Sequence, residues 1–219
     1  MRKTVILTFD DAVTSQYTSV APLLKRLGFG ATFFICRFND EWRKQHSDHL
    51  LAAEQIRALD QMGFEIGNHT WNHPDLRKCD AAVIARELDD LNAFLAEAGV
   101  AKPVSFAYPG GPFAANAVPQ IRERGFLCAR STEHRTFNKK RDDWMNLPSF
   151  PIQGDDRRLF LDAVAKADGD EAVCILFHGV PDRVHPWVNT EFALFEEYMN
   201  YFHKKLPRFP DNVLRLLKK

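Results

Sequence analysis

The sequence has no excess of charge of either sign and no long hydrophobic run. Its 219 residues include 29 Lys and Arg and 29 Asp and Glu, so the chain carries no net charge with which to attract nucleic acid. Apolar runs such as residues 172–177 fall far short of the roughly 20 residues that a membrane-spanning helix needs. We therefore expect neither a nucleic acid nor a membrane as a partner.

Cysteine is also scarce, and its placement argues against a disulfide-rich scaffold. The four cysteines are Cys36, Cys79, Cys128 and Cys174. They form no CxxC pair, which favours a reduced, cytoplasmic protein. The basic residues 2–3 resemble the start of a secretory signal, but the apolar stretch after them ends at Asp10, too early for such a signal.

Short β-branched and aromatic runs alternate with stretches of helical spacing, several of which end at a glycine. The predicted strands are residues 4–9, 31–36, 64–66, 104–107, 126–129 and 172–177. The predicted helices are residues 12–27, 50–62, 80–98, 114–124, 156–167 and 190–204. Residues 131–154 are predicted to be irregular, and residues 211–217 to be a closing strand or a helical turn.

Strand–helix alternation of this kind predicts an α/β fold with a parallel sheet and helices outside it, either open or closed into a barrel. We interpret residues 1–219 as one domain, since α/β proteins of roughly 200–250 residues are commonly built around one core. In both forms, catalytic side chains collect at the carboxyl ends of the strands.

Polar side chains stand directly after three of the predicted strands. Asp10 and Asp11 follow the first strand, His69 and His73 the third, and His178 the last. Two imidazoles four residues apart share one face of a helical turn, and together with a carboxylate they can bind one metal ion. Adjacent aspartates repel each other unless one charge is compensated, as metal binding would do. Alone, the aspartate pair is equally consistent with an exposed turn or a helix N-cap.

Three segments at these positions resemble motifs of the polysaccharide deacetylases, carbohydrate esterase family four. They are Thr8-Phe9-Asp10-Asp11, His69-Thr70-Trp71-Asn72-His73 and Leu176-Phe177-His178. The resemblance implies a distorted (β/α) barrel of about seven parallel strands, fewer than in the eight-stranded form of this barrel. The active site would lie at the carboxyl ends of the strands. It also implies one divalent metal ion held by Asp11, His69 and His73, zinc in the first place, with cobalt, nickel or manganese as alternatives.

The third motif of that family departs from its common form in this chain. It commonly reads R-x-P-Y-G, whereas residues 106–111 read Phe-Ala-Tyr-Pro-Gly-Gly and resemble the FAYP variant. Ala107 stands where the arginine that holds the catalytic aspartate would be. Gly110 stands at the tyrosine position and retains the backbone N–H that serves as oxyanion donor. Arg37 and Arg130, each just past a predicted strand, are candidate replacements, although a solvated surface position is the ordinary expectation for an arginine.

The resemblance also implies roles for the other motif residues. Asp10 would be the base that takes a proton from water, and His178 the acid that protonates the leaving group. Asp143, whose position resembles the fourth motif, would orient the His178 ring. Gly110 and the neighbouring Tyr108 would contact the substrate near the oxyanion.

Aromatic side chains offer apolar faces on which a sugar ring can stack. The candidates are Trp71 in the metal motif, Trp144 in the irregular segment and Trp187 near a strand end. Trp144 is equally well explained as a packing residue. Residues 181–189, which include His185, are expected to form one wall of the pocket.

Together these features favour a metal-dependent hydrolase that removes an acetyl group from an N-acetylated or O-acetylated sugar or polysaccharide. An acetylated sugar or oligosaccharide is the expected partner. The altered third motif leaves a small non-sugar amide, imide or formyl compound as an alternative substrate. A barrel that binds a glycan without cleaving it is a second alternative, but it leaves Asp10 and His178 beside the metal ligands unexplained.

Overall fold

The computed structural model describes residues 4–205 and 210–217, and the strands in this part of the chain form one sheet. They are β1 (Thr4–Phe9), β2 (Thr32–Ile35), β3 (Glu65–Asn68), β4 (Ser105–Ala107), β5 (Cys128–Arg130), β6 (Phe137–Asn138), β7 (Phe150–Pro151) and β8 (Glu171–Phe177). β1, β2 and β8 are buried along almost their whole length, as expected of parallel strands covered by helices.

Helices follow most of the strands along the chain. They are α1 (Ala21–Leu27), α2 (Asp40–Gln45), α3 (Ala53–Gln61), α4 (Ala81–Glu97), α5 (Val118–Glu123), α6 (Arg157–Ala165), α7 (Phe192–Lys205) and α8 (Val213–Leu217). A π-helical turn at Gln16–Val20 leads directly into α1. Within the described ranges, none of the helices is both long enough and apolar enough to cross a lipid bilayer.

The sheet is almost entirely parallel. Its order is β5-β4-β3-β2-β1-β8, with β7 parallel to the carboxyl end of β8 and β6 antiparallel to the start of β8. Phe9 at the end of β1 is level with Phe33 on one side and Phe177 on the other. Parallel strands in this register bring the residues that follow them to one end of the sheet.

The two edges of the sheet are joined by the segment before and within β7. Leu147 forms a parallel bridge with Arg130 of β5, and Phe150 of β7 pairs with Ile175 of β8. Residues 147–151 therefore close the sheet irregularly. The predicted fold, a distorted (β/α) barrel of mostly parallel strands, is confirmed.

Phenylalanines at matching positions of three strands pack in a row under α7. The Phe9 ring stacks on Phe33 with centroids 5.0 Å apart and on Phe177 at 5.7 Å, and Phe195 of α7 meets it edge-on at 5.8 Å. All four are fully buried, and each such side chain contributes about 1.5–3 kcal/mol through burial. Because successive side chains of a strand point to opposite faces, Asp10 points to the inside of the barrel.

Some predicted boundaries shift for local reasons. The helix predicted for residues 50–62 begins only at Ala53, because Leu50 pairs with Val13 and keeps the chain extended. The short helix α2 was not expected. It buries no side chain, and the Asn39 side chain caps it, so apolar periodicity gives no sign of it.

Other differences lie in the second half of the chain. The helix predicted for residues 114–124 begins as a 3₁₀ turn and becomes α5 at Val118. The segment predicted as irregular, residues 131–154, contains β6 and β7. Residues 211–217 adopt both expected forms, since Asp211 bridges to β1 and α8 follows it.

A buried carboxylate fastens α8 to the amino end of the sheet. Glu65 accepts hydrogen bonds from Ser105 Oγ at 2.6 Å, from Thr32 Oγ1 at 2.7 Å and from the Leu214 N–H at 2.9 Å. Burial raises the pKa of Glu65 above its usual value, although these hydrogen bonds oppose the shift. Glu65 is the first residue of β3, so it lies at the end of the barrel opposite the strand-end residues.

Candidate active site

Three of the predicted strand-end residues converge at the carboxyl end of the barrel. Asp11 Oδ1 lies 3.6 Å from His69 Nε2 and 3.5 Å from His73 Nε2. The three donor atoms lie within 4.8 Å of one another, with Asp11 and His69 buried and His73 partly buried. They meet because only β2 separates β1 from β3 in the sheet.

The backbone turns sharply after β1. Asp11 and Ala12 have φ angles of 71° and 52°, in the left-handed region that non-glycine residues rarely adopt. Each such residue costs about 1–3 kcal/mol, so the surrounding structure must hold it. Ala12 accepts a hydrogen bond from the Leu51 N–H at 2.7 Å, and the Gln16 side-chain amide donates to the Asp10 carbonyl oxygen. The turn directs the Asp11 carboxylate toward the two imidazoles.

Residues 69–73 do not form a helical turn, the conformation in which a four-residue spacing would place the two imidazoles on one face. The segment is an irregular loop in which Thr70 and His73 have φ angles of 67° and 57°. The Thr70 N–H donates to Asn68 Oδ1 at 2.8 Å, and the His73 N–H donates to Thr70 Oγ1 at 3.1 Å. These local hydrogen bonds, rather than helical periodicity, bring the two imidazoles together.

Glu87 of α4 supports the same loop from behind, a role that the sequence reasoning missed. Its carboxylate accepts from the Asn72 N–H at 2.6 Å and from Asn72 Nδ2 at 2.7 Å, and its carbonyl accepts from the Trp71 N–H at 3.1 Å. Glu87 is buried between Ile84 and Leu88 on the core face of α4. An acidic residue on an apolar helix face was the signal that could have revealed it.

The His69 ring is fixed with Nε2 facing Asp11. His69 Nδ1 lies 2.8 Å from the Ala107 carbonyl oxygen, which only a protonated Nδ1 can satisfy, and we assign the tautomer on that basis. Nε2 then carries the free lone pair. Burial lowers the pKa of His69 to about 4, so the ring is neutral at neutral pH. Metal-ligating histidines are commonly oriented by such a second partner.

The donor set fits a divalent cation. One carboxylate and two imidazoles are ligands that catalytic zinc sites use, and three protein ligands leave a coordination position for water. Burial raises the pKa of Asp11, but the imidazoles of His73, His178 and His69 together lower it by more. The net pKa of Asp11 is therefore below its usual value. Beside this group, Asp10 Oδ1 is buried without a hydrogen-bond partner in the described part of the chain.

Of the two candidate replacement arginines, Arg130 is the one that lies beside Asp10. Arg130 Nη2 forms an ion pair with Asp10 Oδ2, and both side chains are almost completely buried. The guanidinium also lies over the Phe34 ring, 5.4 Å from its centroid. The expected surface position is therefore wrong for Arg130. Arg37 lies elsewhere and donates to the Leu51 carbonyl oxygen at 2.8 Å.

His178 faces the centre from the end of β8, whereas Asp143 does not reach it. His178 Nε2 lies 4.0 Å from Asp11 Oδ2. Asp143 is exposed, accepts from the Met145 N–H at 3.0 Å and pairs with Arg122 at 3.3 Å. Because its carboxylate caps a 3₁₀ turn on the surface, the expected contact with His178 does not form.

A cleft of about 420 Å³ opens over these side chains, a size typical of small-molecule sites. Besides the residues already described, it is lined by Gly110, Gly111, Thr132, Gln153, Trp187 and Val188. Gly111 has a φ of 99°, and a Cβ there would lie 2.1 Å from Thr132 Oγ1, so only glycine fits at this position.

Of the three tryptophans expected to contact a sugar, the cleft lining includes only Trp187 among the described residues. Its side chain is 68% exposed at the rim. Trp71 instead packs against Phe94 at 5.8 Å, and Trp144 packs against Phe137 at 4.7 Å. Trp144 is therefore a packing residue, which was the alternative to a sugar contact for this side chain.

Tyr108 is likewise a core residue rather than a cleft residue. It is 1% exposed, and its hydroxyl donates to the Met145 carbonyl oxygen at 2.9 Å. Burial raises the pKa of Tyr108 far above its usual value. After Tyr108 the chain turns, with the Gly111 N–H donating to the Tyr108 carbonyl oxygen at 3.0 Å, and this turn leaves Gly110 at the cleft.

The segment 181–189 contributes His185, Trp187 and Val188 to the cleft. Phe38 lines the cleft too, and its φ of 58° marks another strained turn, after β2. Nothing in the spacing of the sequence pointed to Phe38.

Comparison with known proteins identifies the family. The chain matches the family model described as polysaccharide deacetylase over residues 1–129, more than half of its length. It therefore belongs to the polysaccharide deacetylase family, so the predicted family is confirmed. The matched region includes Asp10, Asp11, His69 and His73, while His178 lies beyond it.

The curated relatives whose names specify a substrate include two peptidoglycan deacetylases. The chain is 29% identical to a peptidoglycan-N-acetylglucosamine deacetylase of Bacillus cereus over 145 residues, 66% of the chain and 62% of that protein. It is 33% identical to the peptidoglycan-N-acetylmuramic acid deacetylase PdaA of Bacillus subtilis over 93 residues, 41% of the chain and 31% of that protein. The chain thus spans less than two thirds of the length of either relative.

Solved structures of the same fold include both active and inactive proteins. The peptidoglycan deacetylase PdaC of Bacillus subtilis matches with a TM-score of 0.64 and 18% identity, covering 99% of this chain and 91% of that one. A CE4 family pseudoenzyme from Bacillus anthracis matches with a TM-score of 0.67 and 19% identity, covering 99% and 66%. At these identities the likeness shows the fold alone, so activity must be argued from the side chains of the cleft.

Proposed function

We propose that this protein is a metal-dependent hydrolase that removes an acetyl group from an N-acetylated or O-acetylated sugar. The observation that carries the proposal is the convergence of Asp10, Asp11, His69, His73 and His178 on one cleft at the end of the barrel. Ligands, base and acid are then within reach of one bound acyl group.

Asp11, His69 and His73 would hold the cation. When bound, a divalent ion polarises the acyl oxygen and lowers the pKa of water toward about 7. Zinc is the metal that we propose, because one carboxylate and two imidazoles form a borderline donor set, and cobalt and nickel share that preference.

Asp10 would accept the proton of the attacking water through Oδ1. That oxygen has no hydrogen-bond partner in the part of the chain that the structure describes, whereas Oδ2 is held by Arg130. The ion pair fixes the carboxylate and compensates a negative charge placed next to Asp11. We therefore propose that residues 106–111 are a FAYP-type variant of the third motif in which Arg130 takes over the role of its arginine.

Gly110 would stabilise the oxyanion that forms on the acyl group, and His178 would assist the departure of the leaving group. The Gly110 N–H would donate to the developing oxyanion, a contact type whose removal typically costs about 3–4 kcal/mol in the transition state. His178, on the other side of the cleft, would give a proton to the leaving nitrogen, because an amine leaves poorly unless it is protonated.

The substrate class is proposed from the cleft and from the relatives. Trp187 presents an exposed aromatic face at the rim, on which a pyranose ring can stack. The names of the two curated relatives specify N-acetylated sugars of peptidoglycan.

The test is acetate release from N-acetylglucosamine oligomers, measured beside ammonia release from cyclic imides and formate release from formamides. The zinc-loaded wild type should release acetate, and Asp10→Asn should abolish turnover while zinc stays bound. Release of ammonia or formate alone would replace the proposed substrate class with a non-sugar one. No turnover of any substrate, with glycan binding retained, would support the non-catalytic alternative.

A further inference from the structure

A second group of metal-ligating side chains shares no residue with the Asp11, His69 and His73 group, although one of its members, His185, also lines the cleft. His49, Asp182 and His185 offer donor atoms that all lie within 4.8 Å of one another. His49 Nε2 is 3.6 Å from Asp182 Oδ1, and His185 Nδ1 is 3.8 Å from Asp182 Oδ2. Both separations are too long for a hydrogen bond.

Two polar atoms of this group lack partners. His49 Nε2 and Asp182 Oδ2 are buried and have no hydrogen-bond partner among residues 4–205 and 210–217. The Asp182 side chain is fully buried, and its Oδ1 accepts from the N–H groups of Val184 at 3.0 Å and His185 at 2.7 Å. A buried carboxylate oxygen and a buried imidazole nitrogen without partners are unfavourable unless something binds both.

A divalent cation would satisfy both atoms. Zinc bonds to nitrogen and oxygen of about 2.0–2.2 Å place tetrahedral ligand atoms about 3.4 Å apart. The unpartnered Asp182 Oδ2 lies 3.8 Å from His185 Nδ1, and the donor atoms of the three residues all lie within 4.8 Å of one another, so small side-chain movements bring them to that value. The donor atoms of Asp11, His69 and His73 lie within the same limit of one another.

Aromatic rings hold the two imidazoles in place. Trp42 stacks on His185 with centroids 5.4 Å apart, and it meets His49 edge-on at 5.8 Å. Phe38 separates this group from the active site, since its ring lies 5.9 Å from His185 and 5.3 Å from His73. The two donor groups are therefore neighbouring but distinct.

We propose that His49, Asp182 and His185 form a second binding site for a divalent transition-metal ion of the zinc type. The ion would join the segment after α2 to residues 182–189, which carry Trp187 on the cleft wall. The site would thus set the shape of one wall of the cleft. It stands on its own three residues and does not depend on the reaction proposed above.

Zinc stoichiometry tests the proposal without reference to activity. Metal-free wild-type protein is titrated with Zn²⁺ at neutral pH by calorimetry, and the bound zinc is counted by elemental analysis after dialysis. Two ions per chain are expected. Saturation at one ion, lost in His73→Ala and kept in His49→Ala, would overturn the second site and leave the proposed active-site ion intact.

Single variants assign each ion to its site. His49→Ala and Asp182→Asn should each bind one ion, His73→Ala should also bind one, and the double variant His49→Ala/His73→Ala should bind none. His46→Ala is the matched control, because His46 stacks on the same Trp42 without belonging to the donor group, and it should bind two.

Two further results decide between the sites. Two ions in His49→Ala and in Asp182→Asn would place the second ion elsewhere and refute the assignment. One ion in the wild type that is lost in His49→Ala and kept in His73→Ala would support the second site and contradict the proposed active-site ligands. Circular dichroism checks that each variant is folded, and the wild-type stoichiometry decides even where a variant is not.

Discussion

The ion pair of Asp10 and Arg130 joins two residues that are 120 positions apart in the sequence, inside the barrel. A buried ion pair adds little net stability, because desolvation of both charges offsets their attraction. Removing only one of the two partners strongly destabilises the fold, since the remaining charge is buried without compensation. The pair is therefore better understood as a device that keeps a charged Asp10 in a fixed orientation.

Replacing the arginine alone should therefore destabilise the fold. We expect Arg130→Met to lower the free energy of unfolding by about 3–5 kcal/mol, because Asp10 is left buried and unpaired. Adding Asp10→Asn should recover much of that loss, since it removes the unpaired charge. Urea denaturation of the two single variants and the double variant measures the coupling.

Arg37→Met is the matched control, because Arg37 also follows a strand and lacks a carboxylate partner among the ion pairs of the described residues. Its destabilisation should not change when Asp10→Asn is added. Additive effects of Arg130→Met and Asp10→Asn would show that the pair is not coupled.

His69 should make stability depend on pH in the metal-free protein. Its pKa is about 4 in the folded state, against roughly 6.5 for an unperturbed histidine. Above pH 6.5 His69 is neutral in both the folded and the unfolded chain, so its protonation does not reduce the free energy of unfolding there. As the pH falls toward 4, the unfolded chain takes up the proton first, and about 3 kcal/mol is lost. Chemical denaturation between pH 4 and 7, with chelator present, measures this slope.

His69→Asn should flatten that part of the pH profile, because asparagine keeps a donor for the Ala107 carbonyl but does not titrate. His46→Asn, outside the buried site, should leave the slope as in the wild type. Equal slopes for His69→Asn and the wild type would contradict the assignment of a neutral buried imidazole.

At the scale of single residues, the sequence predicts the motif residues better than the residues that hold them in position. Asp10, Asp11, His69, His73 and His178 could be named because each follows a strand, and strand ends meet in parallel sheets. Supporting residues carry no such mark. Two arginines after strands were equivalent candidates, and only the three-dimensional arrangement distinguishes them. The roles predicted for Asp143 and Tyr108 were wrong. In the sequence, an aspartate that caps a turn looks the same as a catalytic one, and a tyrosine buried in the core looks the same as one that contacts substrate.

Among the elements, α4 acts on the candidate metal centre without contributing a ligand. Its Glu87 holds the backbone and the side chain of Asn72, next to His73. We expect Glu87→Ala to lower the free energy of unfolding by about 1–3 kcal/mol, because two part-buried hydrogen bonds from Asn72 lose their acceptor. The zinc affinity of the Asp11, His69 and His73 group should fall about 10–100-fold, as for other supports of metal ligands.

Asp90→Ala is the control for this helix, because Asp90 is an acidic residue of the same helix whose side chain is exposed. It should leave zinc affinity unchanged. Zinc titration and urea denaturation of both variants check the result, and an unchanged zinc affinity in Glu87→Ala would show that the loop keeps its shape without this support.

The elements themselves were predictable where hydrophobic pattern and end signals agree. The strand at residues 4–9 and the long helix after Asp80 are examples, the latter capped by the Asp80 side chain. The pattern fails where packing is absent, as in α2. It fails also for β7, because two residues that pair with β8 cannot form a recognisable run.

At the scale of the whole molecule, stability should be concentrated in β1 and β8. β1 is bonded on both sides, by β2 and β8, and is almost entirely buried. We expect its amide hydrogens to exchange only through global unfolding, with free energies of about 5–15 kcal/mol. α2 buries no side chain, so its amides should exchange through local opening at much lower free energy.

Native-state hydrogen exchange followed by NMR measures both regions in one experiment. β5 serves as an internal comparison, because it pairs with β4 on one side and only through a single bridge on the other. Equal exchange rates in α2 and β1 would contradict this distribution of stability.

The pairing of β1 with β8 also sets an order of events during synthesis. A ribosome completes β1 long before β8, so Thr4 finds its partner only once Ala172 has been added to the chain. Until then one side of the first strand is unpaired, and the carboxylates at its end lack His178. Such long-range pairing slows folding, so a growing chain must keep this exposed edge from aggregating until the last long strand arrives.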